Sequence, residues 1–387
     1  MTAQHGTVHQ NIRIPSCDFV AKKMPTKKYI AFLWHMHQPY YRDPYTGKME
    51  LPWTRLHGLK DYYGMVNILH QFPRIKATYN LVPSLLLQLE HYLAGETDLF
   101  ADVFTKQAET LATEEIHFLV RHFFSINYQN LVKPYPRYRY LHDRKEKLLH
   151  TRSGQPAWEK LFTIDDIRDL QVWFILAHFD ETYKTGDARI KGLLEKGERF
   201  TEADKEILLE AERELLSKII PEYAKFADSG QIEISTTPFY HPILPLLLDP
   251  QEGRVANPAL PKYDLTFHWP QDAKEQIRSA LDYMKKTFGH VPGGIWPSEG
   301  SLSRETLEVL ESFGIKWTAT DEANLAKSLG IEIERDHHFT VRNPRDLYRS
   351  YRIKDQNLRL FFRDRHLSDL IGFHYRNLPY QTAARDL

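Results

Sequence analysis

Short runs rich in β-branched and aromatic residues punctuate this chain, separated by longer stretches in which apolar positions recur every three or four residues. Tyr29-Ile-Ala-Phe-Leu-Trp34, Ile75-Lys-Ala-Thr-Tyr79, Ile232-Glu-Ile-Ser-Thr236, Gly294-Ile-Trp296, Ile315-Lys-Trp-Thr-Ala319 and Leu358-Arg-Leu-Phe-Phe362 read as strands. From Thr201 to Ala227 the apolar positions Ile207, Leu208, Ala211, Leu215, Ile219 and Ile220 mark one face of a long helix, with Gly230 past its end. A second helix runs from Asp272 to Phe288 and stops at Gly289. A third starts behind Ser303, whose hydroxyl suits an N-cap, and ends at Gly314. Strand-then-helix alternation predicts an α/β fold, with a parallel sheet and helices outside it. Residues of about 100–225 break the alternation. They are mostly helical, and we read them as a helical insertion on one loop, the alternative being a separate helical domain. The charges of 184–214 read as a solvated helical face.

Polar residues gather where the strands end. Trp34-His-Met-His-Gln-Pro39 follows the first strand, Thr237-Pro-Phe-Tyr-His-Pro242 the third and Pro297-Ser-Glu-Gly300 the fourth. Thr320-Asp-Glu322 follows the fifth and Arg363-Asp-Arg-His366 the last. The C-terminal ends of parallel strands face one rim, and active sites are built there.

Two of these clusters carry carboxylates. Glu299, on a turn beside Trp296, suits presentation into a cleft; the alternative is a first-turn acid favouring the helix that follows. Asp321 stands at the end of the next strand, where the alternative is an N-cap and Glu322 is a rival acid. Two such carboxylates can divide acid and nucleophile roles if their surroundings separate their pKa values. His35 and His37 share one side of a strand end, a spacing that also suits a metal. No carboxylate stands at ligand-like spacing, so we read both, with Gln38, as partners for sugar hydroxyls. His241 is read the same way, against a satisfied core histidine. Trp53 and His57 in Trp53-Thr-Arg-Leu-His57, and Arg363 with Asp364, are candidates for the same rim. An arginine paired with a carboxylate fixes its ionisation. Arg363 or Arg365 suits that role, although for Arg365 an ordinary loop ion pair is the preferred reading.

Composition narrows the function classes. A chain of 387 residues fits one large barrel or two to three ordinary domains. Lys+Arg and Asp+Glu each total 51, so no net field attracts nucleic acid or an anionic membrane. The single cysteine, Cys17, excludes an internal disulfide framework and a cysteine-based metal cluster, and fits a cytoplasmic setting. No apolar run approaches the ~20 residues of a membrane span. Residues 1–27 lack a signal-peptide pattern, and we expect them to form a flexible tail. Aromatic residues make up 13% of the chain and there are 19 His, which suits a sugar-binding cleft, although most aromatics are expected to fill a core.

Taken in order, the motifs resemble glycoside hydrolase family 57, over residues 28–387. His35-Met-His-Gln-Pro39 is similar to the family's first signature region and Gly230 to Leu247 to the second. Gly294-Ile-Trp-Pro-Ser-Glu-Gly-Ser301 is similar to the third, and Trp317-Thr-Ala-Thr-Asp-Glu322 to the fourth. Leu51 to His57, Tyr79 to Ser84 and Phe362 to Phe373 support the match. The resemblance implies an incomplete (β/α)7 barrel and a retaining mechanism, with Glu299 as nucleophile and Asp321 as acid/base. It implies action on α-glucans (starch, glycogen or malto-oligosaccharides), with no metal or other cofactor. The second motif and the Arg363–Phe373 stretch look most like the α-amylase and amylopullulanase side of a family that also holds glucanotransferases and branching enzymes. The family's fifth signature region is not visible before Leu387, so we expect a chain lacking part of the barrel and a helical C-terminal part. Alternative readings are a metal-dependent α-mannosidase or polysaccharide deacetylase-like enzyme, and an inactive glucan-binding remnant.

Overall fold

Parallel pairing organises the strands. The computed structural model describes residues 29–151, 157–261 and 267–387, so the N-terminal tail expected over residues 1–27, and Cys17 within it, lie outside the described residues. One three-stranded parallel sheet has the order β1 (Leu33–Met36), β2 (Ala77–Leu81), β3 (Ile232–Ser235). A second has the order β4 (Gly294–Ile295), β5 (Trp317–Asp321), β6 (Arg359–Arg363). Parallel strands with helical connections make the chain α/β, as the alternation predicts. The described residues divide into two compact units: Ala31–His241 with Ser279–Val291, and Pro242–Arg278 with Pro292–Leu387.

Several strands start later than the apolar runs suggest. Tyr29 and Ile30 are 81% and 83% exposed, and pairing begins only at Leu33. Likewise β5 begins at Trp317 and runs through Asp321 itself. Position in the ladder is set by where a partner strand begins, which a one-dimensional pattern does not contain.

In the first unit, all regular structure between β2 and β3 among the described residues is helical. These helices do not have a core of their own. Phe104, Phe123, Phe174, Leu208 and Leu215 belong to the same buried cluster as Tyr79 and Leu81 of β2 and Ile232 and Ile234 of β3. The helix Glu202–Asp228 opens with a capping box. Thr201 Oγ1 accepts the Asp204 N–H at 3.3 Å, and the Asp204 carboxylate accepts the Thr201 N–H at 2.6 Å. Its stripe of Leu208, Ala211, Leu215 and Ile219 is buried, and each large side chain there contributes about 1.5–3 kcal/mol.

That same helix corrects the expectation of a merely solvated face over 184–214. Lys205 is buried, with Nζ donating to the Lys106 carbonyl at 2.6 Å and pairing with Glu202 at 2.8 Å. Glu212 is buried too, and with Asp98 it brackets Arg55, which is 3% exposed. Arg55 lies 2.8 Å from Asp98 and 3.1 Å from Glu212. Burial opposes the guanidinium charge, but the two carboxylates keep it protonated. Charges so far apart in sequence give no local sign that they will meet.

In the second unit, β4 and β5 approach closely because Gly294 has no side chain. A Cβ there would lie 2.0 Å from the Trp317 ring. The helix Arg304–Ser312 is N-capped by Ser303, whose Oγ accepts the Thr306 N–H at 3.2 Å, and it buries Leu307 and Leu310. No helix of the described residues is long and apolar enough to cross a membrane.

Arg55→Met should destabilise the protein by about 3–5 kcal/mol, because it leaves two buried carboxylates without their cation. Chemical denaturation at neutral pH measures this. A loss under about 1 kcal/mol would mean that the carboxylates find water or other donors.

Candidate active site

The carboxylates singled out in the sequence sit on two different kinds of backbone. Glu299 lies in the turn Ser298–Gly300 with φ +56° and ψ +19°, the left-handed region that a side chain other than glycine enters only at a cost of roughly 1–3 kcal/mol. Its side chain is exposed while Ser298 and Gly300 on either side are buried. The next helix begins only at Arg304, with Glu305 in its first turn, so Glu299 is not placed as a helix-favouring acid. The turn is tied down: Thr320 of β5 donates its hydroxyl to the Gly300 carbonyl, and Asn324 Nδ2 donates to Thr320 Oγ1 at 2.6 Å. The Trp296 ring lies beside Gly300. Thr320 and Asn324 were not singled out in the sequence, and only the threonine's place beside Asp321 hinted at it.

Asp321 ends β5, and its register partner is Arg363 of β6. Arg363 Nε donates to Asp321 Oδ2 at 2.9 Å. Arg365 also grips Asp321, through Nε to Oδ2 at 3.0 Å and through Nη2 to Oδ1. The preferred reading of Arg365 as an ordinary loop ion pair is therefore corrected, since the helix that opens at Arg365 turns its guanidinium back over the strand end. Asp321 Oδ1 also accepts the Ala323 N–H at 2.9 Å, so the residue caps the helix Glu322–Leu329 as well. Burial pushes the Asp321 carboxyl up, but Arg365, the Ala323 N–H and Arg363 outweigh it and hold the group below the usual aspartate range.

The neighbouring acids are committed elsewhere. Glu322 accepts from Arg335 Nη2 at 2.6 Å and from the Arg365 N–H at 3.2 Å. Asp364 accepts from Arg335 at 3.0 Å, from the Tyr348 hydroxyl at 2.6 Å and from the Leu367 N–H at 3.0 Å. Burial raises Asp364, yet these donors bring it below its ordinary value. Arg335 and Tyr348 lie far from the motifs in sequence, which is why neither was foreseen.

In the first unit the histidines converge. His35 of β1 is in register with Asn80 of β2, and Asn80 with Ser235 of β3. Asn80 Nδ2 donates to the Thr236 carbonyl at 2.7 Å, which leaves its Oδ1 to accept from His35 Nδ1 at 2.7 Å. The His35 tautomer is thereby set, with Nε2 as acceptor. His37 and His241 stack with centroids 3.8 Å apart and planes 20° apart, and His241 is held at φ +59°. Ring nitrogens of all three lie within 4.8 Å of one another, close enough to suggest a metal. Two rings stacked nearly parallel, however, direct their in-plane lone pairs side by side, and a tetrahedral ion needs them to converge. A hollow of about 240 Å³, open to solvent, is lined by His35, His37, Gln38, His57, Asp61 and Tyr62 together with Trp34, Met36 and Met65. Gln38 is fixed by Tyr41, which donates to its Oε1 at 2.8 Å, and by Tyr62, whose hydroxyl accepts from its Nε2 at 3.2 Å. His57 donates to Asp61 at 2.6 Å. Trp53 does not line this hollow; it packs on the core against Phe100.

Parallel strands whose ends carry paired carboxylate, arginine and histidine clusters are the build of a carbohydrate-active α/β enzyme. The chain belongs to glycosyl hydrolase family 57, whose family model matches residues 31–387. A stretch of 149 residues is 26% identical to Alpha-amylase 1 of Dictyoglomus thermophilum, covering 38% of this chain and 17% of that protein. Among solved structures, the chain is similar to an alpha-amylase from Thermotoga maritima at 14% identity and a TM-score of 0.44, covering 88% of this chain and 46% of that one. It is also similar to a GH57 branching enzyme from Thermococcus kodakaraensis at 16% identity and a TM-score of 0.47, covering 90% of this chain and 49% of that one. The chain thus spans about half the length of these two solved structures.

Burial, reinforced by neighbouring histidines, lowers His37 to about 4 and His241 to about 3. An unfolded chain takes up protons at the ordinary histidine value while the folded rings refuse them. Stability contributed by the neutral rings is therefore present above that value and is lost as pH falls toward about 4. NMR titration should find both rings neutral at mildly acidic pH. Urea denaturation should show a smaller stability loss on acidification for His37→Gln than for the wild type; equal losses would contradict the assignment.

Proposed function

We propose that this chain carries a retaining centre for α-glucans, with Glu299 as nucleophile and Asp321 as acid/base. One observation supports it most: the strained turn that presents Glu299 is clamped through Thr320 to the strand that ends in Asp321. Strain held in place by specific bonds is a recurring property of functional turns. The proteins to which the chain is similar include an alpha-amylase and a GH57 branching enzyme, and these names agree with an α-glucan substrate. The accompanying fold is the incomplete (β/α)7 barrel, which family membership and the uniformly parallel strands support.

In this reading Asp321, protonated, donates to the glycosidic oxygen as Glu299 attacks the anomeric carbon. The bond to the leaving sugar breaks and a β-linked glycosyl-enzyme forms. Asp321, now ionised, takes the proton of an acceptor hydroxyl, and that oxygen displaces Glu299. Water as acceptor gives hydrolysis; a sugar hydroxyl gives transfer. A retaining pair needs carboxyl groups roughly 5–5.5 Å apart. In the first unit His37 and His241, kept neutral by burial, and His35, Gln38 and His57 beside them offer donors and acceptors for sugar hydroxyls. In the second unit Trp296, beside the Glu299 turn, offers an aromatic face. Trp53 packs on the core of the first unit, and Asp364 is held by Arg335 and Tyr348 in the second, so each acts through its neighbours and not on the sugar. Arg363 holds Asp321 in orientation.

Glu299→Gln and Asp321→Asn should each reduce turnover of maltoheptaose by at least about 10²-fold, the lower range of general acid/base assistance. Product analysis with the wild type separates shorter sugars alone from a mixture of longer and shorter ones, and hence hydrolysis from transfer. Activity should survive EDTA. Starch cleavage at wild-type rates by either variant would sink the carboxylate assignment, and loss of activity on chelation with recovery on zinc would favour the metal-dependent alternative.

A further inference from the structure

The acid/base role creates a conflict that the second unit itself resolves. A general acid must carry a proton, yet both oxygens of Asp321 are occupied by donors that favour its ionised form. The groups facing it are Arg363 from β6, Arg365 from the helix that follows, and the Ala323 N–H from its own helix start. Glu322 and Asp369 also act on these cations. Glu322 accepts from the Arg365 backbone at 3.2 Å, and Asp369 sits 3.6 Å from Arg363.

The two arginines differ in what holds them. Arg363 is part of β6, in register with Asp321, makes a single bond to it, and is also drawn toward Asp369. Arg365 makes two bonds in the fork geometry that matches a carboxylate, but its side chain is 49% exposed. With half of its side chain already in water, the Arg365 guanidinium can exchange the carboxylate for solvent or for a competing partner. Arg365 can therefore leave without disturbing the sheet, while Arg363, 37% exposed and drawn to Asp369 as well, starts from a backbone position fixed beside Asp321.

We propose that Arg365 is a positioning residue that latches Asp321 as a carboxylate, so that Asp321 acts as an acid only after Arg365 swings away. The proposal rests on the acid/base reading for its consequence, while the latch itself is a property of the two side chains. Approach of a glycosidic oxygen to Asp321 displaces the guanidinium from the oxygen it covers. With only Arg363 and the helix N–H left on it, the carboxyl becomes easier to protonate. Once Asp321 has given its proton to the leaving oxygen in the first half-reaction, Arg365 can return to the anion, and it leaves again as Asp321 takes the acceptor's proton in the second.

The test uses the full chain with aspartate labelled at its carboxyl carbon, the Asp321 signal being assigned by its loss in Asp321→Asn. In Arg365→Gln the Asp321 titration should move upward by about one pH unit, the lower range for loss of an adjacent arginine. Arg365→Lys, which keeps a cation but not the fork, should move it less. The alkaline limb of the kcat/KM profile on maltoheptaose should follow in the same order, which a merely structural loss, lowering rates equally at every pH, would not produce. An Asp321 titration in Arg365→Gln that coincides with the wild type overturns the latch. So does an alkaline limb that stays fixed while the titration moves. Absence of any turnover in the wild type would count against the glucan reading, and the carboxyl titration would still decide whether Arg365 holds Asp321.

Discussion

Parallel register is the constraint on which each site depends. Because neighbouring strands run the same way, residues paired across a ladder bring their side chains to a common edge without any loop having to be aimed. In the first unit it aligns His35 with Asn80 and Asn80 with Ser235, and the amide of Asn80 then sets the histidine tautomer. In the second it sets Asp321 against Arg363. A slip of one residue in either ladder would turn each of these side chains to the opposite face. The register is protected by features with no chemistry of their own. Gly294 lets the Trp317 ring close over β4, and the Thr318 hydroxyl donates to the Ile295 carbonyl at 2.8 Å.

Much of the architecture could be read from the chain because its signals are local. Thr201 and Ser303 are caps that act on the next turn of backbone, and both cap as their residue types suggest. The position of Glu299 on a turn after a strand was likewise visible in Pro-Ser-Glu-Gly. What escaped the sequence was long-range pairing. Arg55 was part of a recognised motif, but its partners Asp98 and Glu212 come from distant helices and remove it from the surface altogether. Arg335 and Tyr348 surround Asp364 for the same reason. Arg365 was misjudged for a subtler cause: adjacent residues in a loop are expected to diverge, and a short helix instead turns it back onto the strand end that Arg363 already serves.

The electrostatics of the two units' clusters differ in the charge state each favours. His37 and His241 are kept neutral by burial and mutual repulsion, which suits them to hydroxyl groups and not to anions. Asp321 is surrounded by cations that keep it charged. In the proposed cycle this favours the ionised Asp321 required after the first proton transfer, and it makes the initial protonation the step that substrate must promote. Glu299 contributes a different resource, since its unfavourable backbone conformation is fixed before any ligand arrives. Together they describe a centre in which orientation is built in and protonation is conditional.

The central claim, that Glu299 forms a covalent bond to sugar, has a direct physical signature. Incubation with a ring-fluorinated maltosyl fluoride, which forms a glycosyl-enzyme that turns over slowly, followed by peptide mass spectrometry, reads it out. We expect one added fluorinated maltosyl group, a disaccharide, on the peptide that contains Glu299, absent in Glu299→Gln. An adduct on another carboxylate, or steady turnover of α-glucan with no adduct at all, would contradict the assignment.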